Sequence, residues 1–221
     1  THLRRRSRQW GLAIAAGFVE REGRHLYDAL AFCQPDGSVA IYRKRHLVLW
    51  ERFRFRPGRE PLIVATRWGR IGFAVCADMI YRRVWEGYRG RIDLAVIAAA
   101  WPVFTCRHSG RRHWLFGHVG PLSGAIPTKV AGDLDIPVVF ANQCGPTRTT
   151  IPLLGLTVAE RFADRFAGLS SICDGRSRLS VQAGTEEEVV LAPVTLPIQG
   201  GLRTCHSMSP SVPAVSCSAL A

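Results

Sequence analysis

Apolar residues in this chain gather in short runs of strand length, and few recur at the spacing of an amphipathic helix. Ile71-Gly72-Phe73-Ala74-Val75, Leu94 to Ala100 and Ile136 to Ala141 are apolar on both faces, the pattern of central strands covered on both sides of a sheet. Two pairs of runs are joined by turn chemistry. Leu26 to Cys33 and Ser38 to Arg43 flank Gln34-Pro35-Asp36-Gly37, with proline second and glycine last in the turn, and this predicts a hairpin. Leu62 to Thr66 and Arg70 to Cys76 flank Trp68-Gly69 and predict another. Leu12 to Val19 reads as an interior strand. A closing meander is expected from Leu169 to Cys173, Arg178 to Gln182 and Glu188 to Val194.

Helical pattern is confined to a few places. Thr1 to Gln9 is basic and helix-compatible, as is Tyr81 to Tyr88, while Pro102 to Asp135 is a long segment broken by Pro121 and Pro127. Strands alternating with helical segments, then strand pairs, give a layered α/β domain with a mixed sheet. That domain is placed at residues 1–196. Residues 197–221 have no acidic residue, one arginine and many Ser, Pro and Gly, and are expected to form a flexible or loosely docked tail. The first residue is Thr, and a basic helix feeding straight into an apolar strand is an uncommon way for a domain to begin. The sequence is therefore read as lacking an amino-terminal segment.

Composition narrows the class without deciding it. The 221 residues are 47% hydrophobic and 21% charged, which disfavours disorder. No apolar run approaches the length of a membrane span, and the basic start has no signal-peptide core behind it, so a soluble cytoplasmic protein is expected. The net charge of +12 is almost wholly arginine, because only Lys44 and Lys129 are lysines. The seven cysteines are odd in number and contain no Cys-x-x-Cys pair, against both a disulfide scaffold and a thiolate zinc site.

Three stretches carry candidate chemistry: Tyr42-Arg43-Lys44-Arg45-His46-Leu47, Glu51 followed by Pro57-Gly58, and Gly72-Phe73-Ala74-Val75-Cys76-Ala77-Asp78. A cysteine that ends a buried strand and enters a turn lies at the rim of a sheet, where a nucleophile is exposed and backbone N–H groups are free to hold an oxyanion. Taken singly each has an ordinary reading: Cys76 as a small core residue, Lys44 as a solvated surface residue.

Together and in this order the motifs resemble the carbon-nitrogen hydrolase (nitrilase) superfamily. The resemblance runs from about Arg4 to Val194 and includes Gly17-Phe18-Val19-Glu20, Leu26-Tyr27-Asp28, Pro35-Asp36-Gly37, Ala100-Trp101, Ala141-Asn142 and Phe166-Ala167-Gly168-Leu169-Ser170. It implies an α/β fold, a four-layer αββα sandwich, and hydrolysis of a non-peptide C–N bond in a small amide, N-carbamoyl compound or nitrile through a thioester, with no cofactor and no metal. Carried over residue by residue, it makes Cys76 the nucleophile. Lys44 holds the oxyanion together with the backbone N–H of Ala77, and Glu51 is the auxiliary glutamate that orients Lys44 or the substrate. Ala77 and Trp101 are implied as substrate-binding positions, and a homo-oligomer is implied too.

The pattern also departs from the family. The glutamate that serves as general base lies about one strand-helix unit before the segment matching Thr1, outside this sequence, and Glu20 matches a later position. Ala77 stands where an aromatic is usual, and Phe-Pro-Glu is missing from Met79-Ile80-Tyr81-Arg82-Arg83. Arg43, Arg45, Arg82 and Arg83 suggest a carboxylate-bearing substrate. Three other readings stay open. One is a non-catalytic relative that keeps the fold. Another is a basic nucleic-acid-binding module built on Trp50-Glu51-Arg52-Phe53-Arg54-Phe55-Arg56, disfavoured by scattered basic residues and the lack of an RNA-binding signature. The last is a metal site from Cys106, His108, His113 and His118, disfavoured by their spacing and the surrounding glycines.

Overall fold

The structure, a computed structural model, describes residues 2–48, 51–103, 119–147, 151–153, 156–158, 165–198 and 201–205. Helix α1 (His2–Trp10) leads into β1 (Ile14–Glu22), β2 (His25–Cys33) and β3 (Val39–Arg43), an antiparallel sheet in that order. The β2–β3 turn is closed as its sequence predicts: Gly37 has φ 90° and donates its N–H to the Gln34 carbonyl at 2.9 Å, and Asp36 Oδ1 accepts the Ser38 N–H at 2.8 Å. A positive φ at that corner is open to glycine at little steric cost.

The chain continues through β4 (Ile63–Thr66), β5 (Gly69–Val75), α2 (Arg82–Glu86), β6 (Leu94–Ala99), β7 (Pro102–Val103), α3 (Val119–Leu134) and β8 (Val138–Asn142). Then follow β9 (Ile151–Leu153), β10 (Leu156–Val158), β11 (Arg165–Phe166), β12 (Ser171–Cys173), β13 (Leu179–Gln182), β14 (Val194–Ile198) and β15 (Gly201–Cys205). The second sheet has the order β13-β12-β8-β6-β5-β4, with β5, β6 and β8 mutually parallel and the outer pairings antiparallel. Three short pairs, β7–β11, β9–β10 and β14–β15, stand apart from it.

Strand β5 shows why the layers stack. Its odd positions, Ile71, Phe73 and Val75, meet Leu30, Phe32 and Tyr42 of the first sheet in one buried cluster, with the Phe32 and Phe73 rings 5.0 Å apart. Its even positions face the other way. A side chain at Gly72 would collide with Ile92 and Tyr88, and Ala74 packs in the cluster of Trp85, Tyr88, Val130 and Leu134 under α2 and α3. On the far side of the first sheet α1 is pinned by Ser7, whose Oγ donates to the carbonyls of Leu12 at 2.6 Å and Cys33 at 3.0 Å. Helix, sheet, sheet and helices make a four-layer αββα sandwich. Burial of a large apolar side chain contributes about 1.5–3 kcal/mol, so the inter-sheet cluster is a principal source of stability.

The structure departs from the sequence reading in three places. Helix α3 runs through both prolines that were expected to break the segment. Pro121 stands in its first turn, where a missing N–H costs nothing, and Pro127 is buried, so packing against the sheet outweighs its helix-breaking tendency. The last strand of the expected meander begins only at Val194 and pairs with Gly201–Cys205, carrying regular structure past residue 197. Strand β1, read as interior, is the outer strand of its sheet among the described residues, with Leu12 and Val19 exposed. Cys106, His108, His113 and His118 lie outside the described residues. Among those described, no helix is long and apolar enough to cross a membrane.

Candidate active site

Parallel strands bring their carboxyl ends to one edge of a sheet, the usual place for a ligand in such folds. Here Val75, Ala98 to Ala100 and Ala141 to Gln143 line a cavity of about 470 Å³ at that edge. The first sheet closes it with Ala15 to Val19 of β1, Asp28 of β2 and Lys44 just past β3; Glu51 also lines it. The site thus draws its groups from both sheets.

Cys76 is the first residue after β5, opening a 3-10 turn (Cys76–Ile80), and has φ 48°. A left-handed conformation at a residue other than glycine is strained and marks a position fixed by its surroundings. Much of the fixing comes from Asp78, which is fully buried. Its carboxylate accepts the Val75 N–H at 3.2 Å on the cysteine side. On the lysine side it accepts the Tyr42 hydroxyl at 2.8 Å and the backbone N–H groups of His46 at 2.8 Å and Arg45 at 3.2 Å, and it meets His46 Nδ1 at 3.1 Å. The His46 ring stacks on Tyr81 at 4.2 Å. One carboxylate therefore ties the end of β3 to the turn that carries the thiol. Burial and the Asp78 charge hold the Tyr42 hydroxyl far above an ordinary phenol's pKa, so Tyr42 remains a donor.

Lys44, 1% exposed at its side chain, donates to Glu51 Oε1 at 2.7 Å and pairs with Asp28 Oδ2 at 3.1 Å. Glu51 is held in turn by the Val48 N–H on Oε2 at 2.9 Å. Burial opposes the lysine's charge, but neighbouring negative charge, that of a Cys76 thiolate and of Asp28 and Glu51, outweighs it and raises its pKa above that of a free lysine. Lys44 is thus a fixed cation. For the Cys76 thiol burial is the largest influence and pushes the pKa up; Lys44 and the Ala100 backbone amide pull it down, while Glu51 and Asp28 push it up again. The net effect is a rise above the ordinary thiol value, and a thiolate there is favoured by the neighbouring cation or by a base.

The backbone behind Lys44 leaves no room for change. Gly58 donates its N–H to the Lys44 carbonyl at 2.8 Å, and a Cβ at Gly58 would overlap the carbonyl of Arg43. Gly58→Ala is expected to push the lysine out of place, destabilising the fold by about 1–3 kcal/mol and lowering any hydrolytic rate about tenfold or more. Thermal melting together with a rate assay checks both.

The structure brings Cys76, Lys44 and Glu51 into one cavity, and it adds Asp28, which sequence reasoning quoted in a motif but gave no role. The hairpin held the signal: Ala29 pairs with Arg43, so extending the register by one residue sets Asp28 beside Lys44. Ala77 is buried next to Cys76, and Trp101 is buried in the helix-side core, its N–H held by Asn142 Oδ1 at 2.8 Å; neither lines the cavity. Asn142 also donates to the Gly168 carbonyl at 2.7 Å, and its N–H is accepted by Ser170 Oγ at 3.0 Å. It thereby joins three sequence fragments that look unrelated along the chain.

The four arginines that suggested a carboxylate-bearing substrate do not line the cavity among the described residues. Arg43 is gripped by Glu20 and Glu22 and lies over the Tyr27 ring at 3.9 Å, Arg82 pairs with Glu86 on the surface, and Arg83 is exposed. None of these, nor Arg45, lines the cavity. Those four arginines therefore lend the suggestion of a carboxylate-bearing substrate no support, because charges bound elsewhere cannot recognise one. Glu20, engaged by Arg43, also lies outside the cavity.

Comparison with known proteins agrees with this fold. A stretch of 77 residues is 36% identical to an omega-amidase (YafV) of Yersinia enterocolitica, covering 34% of this chain and 30% of that protein. Another of 72 residues is 35% identical to an (R)-stereoselective amidase of a Pseudomonas species, covering 33% and 26%. Among solved structures, XC1258 of Xanthomonas campestris, a CN-hydrolase superfamily protein, superposes with a TM-score of 0.66 at 24% identity over 85% of this chain and 64% of that one. An amidase from Nesterenkonia sp. gives 0.65 at 20% identity over 84% and 62%. The chain therefore spans less than two thirds of the length of these relatives. The carbon-nitrogen hydrolase family model matches residues 1–199, and with that match the chain belongs to the carbon-nitrogen hydrolase family.

Proposed function

We propose that the chain carries the thioester chemistry of a hydrolase acting on non-peptide C–N bonds of small amides, N-carbamoyl compounds or nitriles. The observation that supports this best is a buried lysine, clamped by two carboxylates, in the cavity that holds a cysteine in a strained turn. For an amide, the Cys76 sulfur forms a bond to the carbonyl carbon as a base takes the thiol proton. The oxygen gains negative charge and is held by Lys44 and a backbone N–H such as that of Ala77. The C–N bond then breaks, the amine leaves with a proton, and water cleaves the thioester to release the acid and restore the thiol. Glu51 keeps Lys44 in place. The resemblance assigns the base to a glutamate upstream of the segment matching Thr1. Support from relatives lies in their names: two are called amidases, and a solved structure of the Nesterenkonia amidase describes covalent addition at its active-site cysteine.

The test is selective alkylation. With limiting iodoacetamide, peptide mapping is expected to show Cys76 modified before Cys33, Cys144 and Cys173. Because burial raises the Cys76 pKa, the rate should climb with pH and inflect above the value for a free thiol. Ammonia release from a panel of small amides and N-carbamoyl compounds, by the chain joined to its native upstream coding sequence, should fall in step with that labelling. Protection of Cys76 while another thiol reacts first removes it as nucleophile.

A further inference from the structure

Among the described residues, the cavity that holds Cys76 is lined by one lysine and two carboxylates, and the two carboxylates are not equivalent. Glu51 is fully engaged, with Oε1 on Lys44 and Oε2 on the Val48 N–H. Asp28 shares Oδ2 with Lys44 at 3.1 Å, and its Oδ1 meets no donor among the described residues; the side chain is 28% exposed on the cavity wall. A carboxylate oxygen facing a largely apolar cavity gains from a donor that enters it. The other polar groups on that wall do not compete for the role. Asn142 has its side chain committed to Trp101 and Gly168, and Gln143 is neutral. The formal balance of Lys44, Glu51 and Asp28 is one net negative charge.

We propose that Asp28 determines specificity, selecting amides or nitriles that carry a protonated amine close to the scissile C–N bond and disfavouring those that carry a carboxylate. The proposal rests on Cys76 being the reacting group. A substrate ammonium placed against Oδ1 makes a charge-assisted hydrogen bond and offsets the net charge of the cavity. A substrate carboxylate meets Asp28 and Glu51, and the one cation on the cavity wall among the described residues, Lys44, is already shared between them. This is opposite in sign to the preference suggested by the arginine-rich sequence around the site.

The experiment reads the cavity's charge without needing turnover. Three methanethiosulfonates, one bearing trimethylammonium, one a neutral methyl and one a sulfonate, each transfer their thiol group to Cys76 as a mixed disulfide and release methanesulfinate. Rates at Cys76 are followed by peptide mapping and divided by those for free cysteine. The cationic reagent is expected to exceed the anionic one by about tenfold or more. In Asp28→Asn, which keeps the shape, that ratio should fall at least about fivefold, and in the unchanged chain it should shrink as salt is added. An unchanged ratio in Asp28→Asn, a ratio insensitive to salt, or faster reaction with the anionic reagent overturns the role of Asp28. In parallel, ammonia release is compared for 4-aminobutyramide, butyramide and succinamate using the chain with its native upstream sequence. Release from none of them counts against the hydrolase reading, while the labelling ratio still decides the role of Asp28. A kcat/KM order with 4-aminobutyramide highest supports the proposal, and equal values or succinamate highest overturn it.

Discussion

Replacing Lys44 by Met is expected to cut turnover by about 100-fold or more, the loss that follows removal of one donor to an oxyanion. Met keeps the length and volume of the side chain, so the substitution isolates the charge. Its second consequence follows from the two carboxylates on Nζ. Without the cation, Glu51 and Asp28 repel each other in a partly buried place, so the fold should lose about 1–3 kcal/mol as well. Sequence alone suggests a purely chemical role with little effect on folding, and the structure amends that. Adding Glu51→Gln and Asp28→Asn to Lys44→Met should restore the melting temperature and leave turnover low, which separates the two effects. Near-native kcat in the single variant would remove Lys44 from the reaction.

Asp78→Ala is expected to be the most damaging change to stability. The carboxylate is fully buried and accepts the Tyr42 hydroxyl and the backbone N–H groups of Arg45, His46 and Val75. Removing it leaves several buried donors without an acceptor, at a cost on the order of 3–5 kcal/mol. For a chain of this size that corresponds to a fall in melting temperature of roughly 6–20 °C. Asp78→Asn keeps the shape and one acceptor oxygen but turns an N–H donor toward other donors, so its loss should be smaller. Both variants should also slow turnover, because the same group fixes the Cys76 turn and the end of β3. A melting temperature within about 2 °C of the parent in Asp78→Ala would show that solvent or neighbouring groups replace the carboxylate.

Much of the fold was legible because its strands announce themselves. The runs before Cys76, at Leu94 and at Ile136 are apolar on both faces, and the two hairpins are marked by the turn residues Pro35-Asp36-Gly37 and Trp68-Gly69. Lys44, Glu51 and Cys76 were legible as motif residues, and the structure gathers them in one cavity. Asp28 is hidden in the sequence because its role depends on cross-strand register, and Asp78 because its partners Tyr42, Arg45 and His46 lie more than thirty positions away along the chain. Helix α3 was obscured by its prolines, whose local penalty is outweighed only by packing that is not visible in the segment itself. The arginines misled in the opposite sense. Their number drew attention to a positive site, yet Arg43 is consumed by Glu20 and Glu22, and the charged groups that share the thiol's cavity among the described residues are Lys44, Asp28 and Glu51.

The proposed nucleophile and its cation are mounted on different sheets, Cys76 at the end of β5 and Lys44 beyond β3. Their spacing is therefore a gauge of how tightly the two halves of the sandwich are pressed together, and the Phe32–Phe73 contact sets that pressure from below. A change such as Phe73→Leu, remote from any substrate, should act as an activity mutation: a small slip between the sheets would open the lysine–sulfur gap while every strand stayed paired. On heating, catalytic competence would then vanish at a lower temperature than the far-ultraviolet circular dichroism signal. The proposed site would stop working as a loosened vice does, before any of its parts had broken.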